Sequence, residues 1–185
     1  MKIIFLDRDG VISRYTPNDY VKTWREFSFL PHAAAGCKLL TDADYRIVLI
    51  SNQGGIRKGL FTEDDLADIT ARMIAELRIR GTDIHRAYYC IHTEEENCSC
   101  RKPKTGLFLK AEEELGPLDF SRTFFIGDTE MDVQAGKNTG SKTILVLSGK
   151  IRTPEETAAW KIKPDFIAKN LVEAAKIVLK NHENP

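Results

Sequence analysis

Two aspartates stand one residue apart where the first apolar run of the chain ends: Ile3-Ile4-Phe5-Leu6 is followed by Asp7-Arg8-Asp9-Gly10. Carboxylates placed this way beyond a buried strand can share a divalent cation, one attacking phosphorus while the other handles protons. Later apolar runs end in complementary groups. Ser51-Asn52-Gln53-Gly54-Gly55 offers hydroxyl and amide donors, Arg101-Lys102 offers cations, and Gly127-Asp128, with Asp132 beyond, offers more carboxylate. A nucleophile, an acid, hydrogen-bond donors and a cation site together point to metal-dependent phosphoryl transfer.

These groups need elements that bring them to one place. The runs Lys2 to Leu6, Arg46 to Ile50, Ala87 to Ile91, Thr123 to Ile126 and Thr143 to Leu147 are short and hydrophobic throughout, as strands covered on both faces are. Helical patterns separate them. Leu66, Ile69, Met73 and Leu77 recur at helical spacing after a Thr62 cap and before Gly81, and Pro31 to Asp44, Thr105 to Leu115 and Glu130 to Asn138 read alike. A last helix, Asn170 to Lys180, carries Leu171, Ala174, Ala175 and Val178 on one face, and the polar tail Asn181 to Pro185 is expected to fray. The order predicts a doubly wound, Rossmann-like α/β fold with a parallel sheet, in which ligands sit beyond the carboxyl ends of the strands. All the groups above follow strands, so they share that edge. Singly, each has an ordinary reading as a turn, a helix cap or a solvated loop; their common edge is what favours a site.

Cys90, His92, Cys98 and Cys100 form C-x-H followed by C-x-C, the ligand types and number that tetrahedral zinc favours. A buried-cysteine cluster fits less well, because Glu94-Glu95-Glu96-Asn97 makes the segment too polar for a core. Four protein ligands leave no open position, so the expected role is structural: zinc pins the loop at about 90–102 and fixes Arg101 and Lys102 over the site. Cys37, among Ala33, Ala34, Ala35, Leu39 and Leu40, reads as packing.

At 185 residues and 42% hydrophobic, the chain is expected to form one domain, 1–185. Its 27 basic residues balance 27 acidic ones, so no overall field favours nucleic acid or an anionic membrane. No apolar run approaches the roughly 20 residues of a spanning helix. A cytoplasmic monomer acting on a small molecule is expected.

Asp7-Arg8-Asp9-Gly10-Val11, Ile50-Ser51-Asn52-Gln53, Arg101-Lys102-Pro103 and Gly127-Asp128-Thr129-Glu130-Met131-Asp132 appear in the order of the four motifs of the haloacid dehalogenase (HAD) superfamily of phosphatases, which the first 150 or so residues resemble. With the Cys/His quartet, the resemblance narrows to a zinc-containing branch whose members act on heptose 1,7-bisphosphate or on histidinol phosphate. It implies that Asp7 becomes an aspartyl phosphate, that Asp9 protonates the leaving alkoxide and then activates water, and that Ser51 and Lys102 hold the transferring oxygens. It also implies Mg2+ on Asp7, the Asp9 main-chain carbonyl and Asp128, with Asp132 supporting Asp128.

Only Ser13 to Arg25 and Gly54-Gly55-Ile56-Arg57-Lys58-Gly59 are inserted near the expected site, and neither can form a large cap domain. Specificity should therefore come from these loops and the zinc loop. The stretch Gly54 to Thr62 and Asp19-Tyr20-Val21 resemble the heptose enzyme, whereas the five residues between His92 and Cys98 resemble the histidinol branch. The loop after the second strand faces substrate more directly, so a sugar bisphosphate losing its 7-phosphate is expected, contacted by Asp19, Tyr20, Asn52, Gln53, Gly54 and Arg101. Arg57 or Arg101 is expected to grip a second anionic group. A catalytically silent, zinc-stabilised interaction module is the reading from another class.

Overall fold

The computed structural model describes residues 1–182. Six parallel strands, β1 (Lys2–Leu6), β2 (Tyr45–Asn52), β3 (Arg86–Cys90), β4 (Phe124–Gly127), β5 (Lys142–Val146) and β6 (Phe166–Ala168), form one sheet in the order β3-β2-β1-β4-β5-β6. Five helices flank it: α1 (Ala33–Asp42), α2 (Glu63–Ile79), α3 (Gly106–Leu115), α4 (Glu130–Thr139) and α5 (Leu171–His182). The chain builds outward from β1 through β2 to β3, then returns to β1's other side as β4. Strand order therefore reverses at β1, and a crevice opens there at the carboxyl ends of β1 and β4. Register carries Leu6 opposite Ile126, and the N–H of Asp7 still donates to Ile126 O at 2.9 Å. Asp7 thus stands level with Gly127, and Asp128 follows one residue later on the neighbouring strand.

Alternation along β1 divides the core. Ile4 and Leu6 join Leu40, Ile47, Leu49, Ile69, Met73 and Val178 on one face; Ile3 and Phe5 join Val48, Ile50, Leu107, Phe108 and Phe125 on the other. Phe108 meets both Phe5 and Phe125 edge-on, with centroids 5.0 and 5.1 Å apart. Cys37 is fully buried in the first cluster, as its sequence context predicts.

Local signals start the helices. The Thr62 side chain accepts from Asp65 N while Asp65 Oδ2 accepts from Thr62 N, and Thr129 and Asp132 repeat this reciprocal cap at α4. β6 was not expected from sequence: three residues flanked by Lys163-Pro164-Asp165 and Lys169 carry no periodic pattern, and pairing with β5 creates the strand. α5 runs two residues past Lys180; the remainder of the tail expected to fray, 183–185, lies outside the described residues. No helix of the described chain is long and apolar enough to cross a membrane.

Candidate active site and metal centres

Asp7 and Asp128 reach a cavity of about 430 Å3 at the crevice, together with Asp9, Ser51, Asn52, Lys102 and Asp132. Lys102 Nζ lies 3.1 Å from Asp7 Oδ2, 2.6 Å from Asp132 Oδ1 and 2.9 Å from Ile50 O, with its side chain 2% exposed. Burial alone would drive off its proton, but Asp132 and Asp7 outweigh this and raise its pKa. Asn52 fastens the backbone on either side of that lysine, Oδ1 accepting from Lys102 N at 3.0 Å and Nδ2 donating to Lys102 O at 3.2 Å.

Three carboxylates outnumber this one ammonium. Asp7, Asp128 and Asp132 each offer an oxygen within 4.8 Å of the others, and all three are buried. Burial pushes the Asp7 carboxyl to about 6 despite Lys102, with Asp132 and Asp9 adding like-charge repulsion. Asp128 is raised too, by burial and then by Asp132 and Asp7. Crowded acidic oxygens of this kind fit a small divalent cation, whose charge offsets the repulsion. Asp132 is the least available of the three: its Oδ1 is held by Lys102, and its Oδ2 accepts from the N–H groups of Asp128 and Thr129 at 3.2 and 3.0 Å.

Asp9 lies in a different environment. Arg8, wholly buried, donates to its two oxygens from Nε and Nη2 at 3.0 and 2.9 Å; Ser13 Oγ adds a bond at 2.7 Å and Gln53 Nε2 one at 2.8 Å. Burial raises the Asp9 pKa, but Arg8 and these hydrogen bonds outweigh it and hold the carboxyl below its ordinary value. Gln53 also donates to Ser51 Oγ at 3.2 Å, so it links the acidic pair to the end of β2.

The zinc-type quartet is assembled as the spacing predicts. Cys90 Sγ lies 3.1 Å from Cys100 Sγ and 3.6 Å from Cys98 Sγ, and His92 Nδ1 lies 3.3 Å from Cys100 Sγ and 3.7 Å from Cys90 Sγ. Ligands placed 2.0–2.3 Å from a zinc ion stand roughly 3.5–3.8 Å apart, so a small expansion of the closer pairs separates this cluster from a tetrahedral site. Arg101, just after it, donates from Nη1 to His92 O at 3.1 Å.

A HAD-hydrolase-like family model matches residues 99–174. The chain is 34% identical to the D-glycero-beta-D-manno-heptose-1,7-bisphosphate 7-phosphatase of Pasteurella multocida, over 96% of each chain. It is 38% identical to the protein of that name from Neisseria meningitidis, over 90% of this chain and 92% of that one. The chain belongs to the HAD-like phosphatases, in the family of these enzymes. A crystal structure of the D,D-heptose 1,7-bisphosphate phosphatase from B. bronchiseptica, complexed with magnesium and phosphate, matches with a TM-score of 0.90 at 30% identity, over 98% and 99% of the two chains. The Burkholderia thailandensis protein matches at 0.72 and 28%. As a member of this family the protein is a phosphoric monoester hydrolase, so the silent-module reading is set aside.

In this HAD-like phosphatase Asp19 and Tyr20 line the cavity, alongside Tyr15, Thr16, Asn18 and Val21. Gln53, Gly54 and Arg57 do not. Gln53 is engaged beneath the site, Gly54 packs against His92 O and Arg101, and Arg57, expected to reach for an anion, has its Nε 2.9 Å from Glu96 Oε1. Its neighbour Lys58 takes the cavity wall instead. Two features escaped the sequence reading. Arg8 is given no role by its motif, although a cation so close to an apolar strand signals a buried pair. The second is the loop after β5, where Ser148-Gly149-Lys150 closes over Asp128: Lys150 N donates to Asp128 Oδ2 and Ser148 Oγ to Gly10 O.

Proposed function

We propose that this phosphatase removes the 7-phosphate of D-glycero-D-manno-heptose 1,7-bisphosphate through an aspartyl phosphate on Asp7. The observation that carries the chemistry is the convergence of Asp7, Lys102 and Asp128 at the bottom of one cavity. The substrate assignment rests on full-length relatedness to enzymes of that name.

Asp7 attacks phosphorus and the ester P–O bond breaks, while Ser51 and Lys102 hold the phosphoryl oxygens. Asp9 gives a proton to the departing alkoxide, then takes one from the water that hydrolyses the acyl phosphate. Arg8, Ser13 and Gln53 keep the Asp9 carboxylate ionised, so to act as an acid it must first leave this cage and take up a proton from solvent. Magnesium would be held by Asp7, the Asp9 main-chain carbonyl and Asp128, and would supply positive charge that reduces repulsion between an anionic nucleophile and a phosphate. Lys102 contributes the same sign of charge at Asp7 Oδ2. Zinc would be held by Cys90, His92, Cys98 and Cys100 and would have a structural role, fixing the loop whose His92 carbonyl accepts from Arg101. The protein is read as a single-domain, cytoplasmic monomer.

The test ranks kcat/KM, with Mg2+ present, for heptose 1,7-bisphosphate against histidinol phosphate. The sugar bisphosphate is expected to lead by at least about a hundredfold, the range that buried polar recognition reaches. Comparable efficiencies would reject the assignment.

A further inference from the structure

Two cations at the rim of the cavity are unused by the chemistry at its floor. Lys102 is committed to Asp7 and Asp132, but among the described residues neither Lys58 nor Arg101 has a carboxylate within 4.0 Å. Both line the cavity. A substrate with one phosphoryl group at Asp7 and a second elsewhere brings a dianion that needs cationic donors, and these two are the ones left to receive it.

Lys58 is held in place for this. Its loop coils tightly after β2, with Lys58 N donating to Gly54 O at 3.2 Å and Leu60 N to Gly55 O at 3.0 Å. Tyr20 lies directly on Gly55, where a Cβ would come within 2.8 Å of the ring and 2.5 Å of Phe61. Lys58 Nζ sits 5.7 Å from the centroid of that Tyr20 ring, a cation–π contact that orients an exposed lysine without neutralising it. On the other side, the Arg57–Glu96 pair bolts the loop to the tip of the metal loop and turns Arg57 away.

We infer that Lys58, with Arg101, binds the phosphate that is not cleaved, and so determines the preference for a bisphosphate. This rests on the reading above and names the residues that select the substrate class. Lys58 touches neither Asp7 nor the transferring group, so its contribution should appear in KM rather than kcat.

The experiment compares heptose 1,7-bisphosphate with heptose 7-phosphate, which differ only by the phosphate in question, for the wild type, Lys58→Met and Lys58→Arg. In Lys58→Met the ratio of the two kcat/KM values is expected to fall by about 10- to 100-fold, the loss for one charge-assisted hydrogen bond. The fall should lie in KM for the bisphosphate, and Lys58→Arg should restore most of it. A ratio unchanged in Lys58→Met, or an equal loss on both substrates, overturns the assignment while leaving the phosphatase reading intact. A wild type with no preference for the bisphosphate overturns both.

Discussion

The backbone N–H of Lys150 donates to Asp128 Oδ2 at 2.6 Å, so an acidic side chain from the end of β4 is gripped by the loop that follows β5. Space as well as hydrogen bonding fixes the carboxylate. A Cβ on Gly149 would lie 2.0 Å from Asp128 Oδ2; one on Gly10, at φ +83°, would lie 2.2 Å from the same oxygen. Gly149→Ala should therefore push Asp128 out of register with Asp7. Overpacking of this kind costs about 1–3 kcal/mol, so the Mg2+ concentration giving half-maximal activity should rise roughly 10-fold or more. A magnesium titration of the variant checks this, and an unchanged midpoint would show that the pinch does not position the ligand.

Asp7 ties stability to pH and to the cation. Its folded-state pKa, about 6, lies above the ordinary 3.8, so the folded protein binds the extra proton between those values. The resulting stabilisation is full below about pH 4 and is lost as pH rises through about 6. Asp128, raised in the same direction, adds to the effect. A cation that binds only the ionised oxygens should reverse the loss. Saturating Mg2+ is thus expected to raise Tm by several degrees more at pH 7.5 than at pH 5, scaling from the size dependence of unfolding entropy. Melting curves at both pH values test this; equal shifts would indicate that Mg2+ does not act through these carboxylates.

The Cys/His quartet should hold about one zinc atom per chain, the number four ligands close around. Without a metal, burial and hydrogen bonding from Cys100 leave the Cys90 thiol well above its ordinary pKa, whereas Cys98, whose hydrogen bonds overcome its burial, falls to about 7. Zinc would take all three sulfurs as thiolates. Cys98→Ser should lose the metal, lower Tm, and raise KM for substrate roughly tenfold as the Arg101–His92 contact loosens, a change matching one lost hydrogen bond. Elemental analysis alongside kinetics decides it: a zinc-free wild type that is fully folded and active would rule out the structural role.

Sequence by itself determined much of this protein. Apolar runs of strand length, capped helices between them and acidic residues just past the first and fourth runs specify a parallel α/β sheet with its chemistry at one edge, because strand burial and capping are local effects. The quartet was legible for a similar reason, since Cys90, His92, Cys98 and Cys100 lie within eleven residues and need only one loop. Tertiary structure alone decided which charge meets which. Arg57 and Lys58 are chemically near-equivalent neighbours, and only the approach of Glu96 from a loop nearly forty positions away sends one outward and leaves the other facing the cavity. Asp132 likewise meets Lys102, and Asp128 meets Gly149 and Lys150, because parallel strands bring distant chain segments to a shared edge. Pairing at that edge depends on distances no linear spacing encodes, and in a buried site such distances set both the charge of each group and the direction it can act.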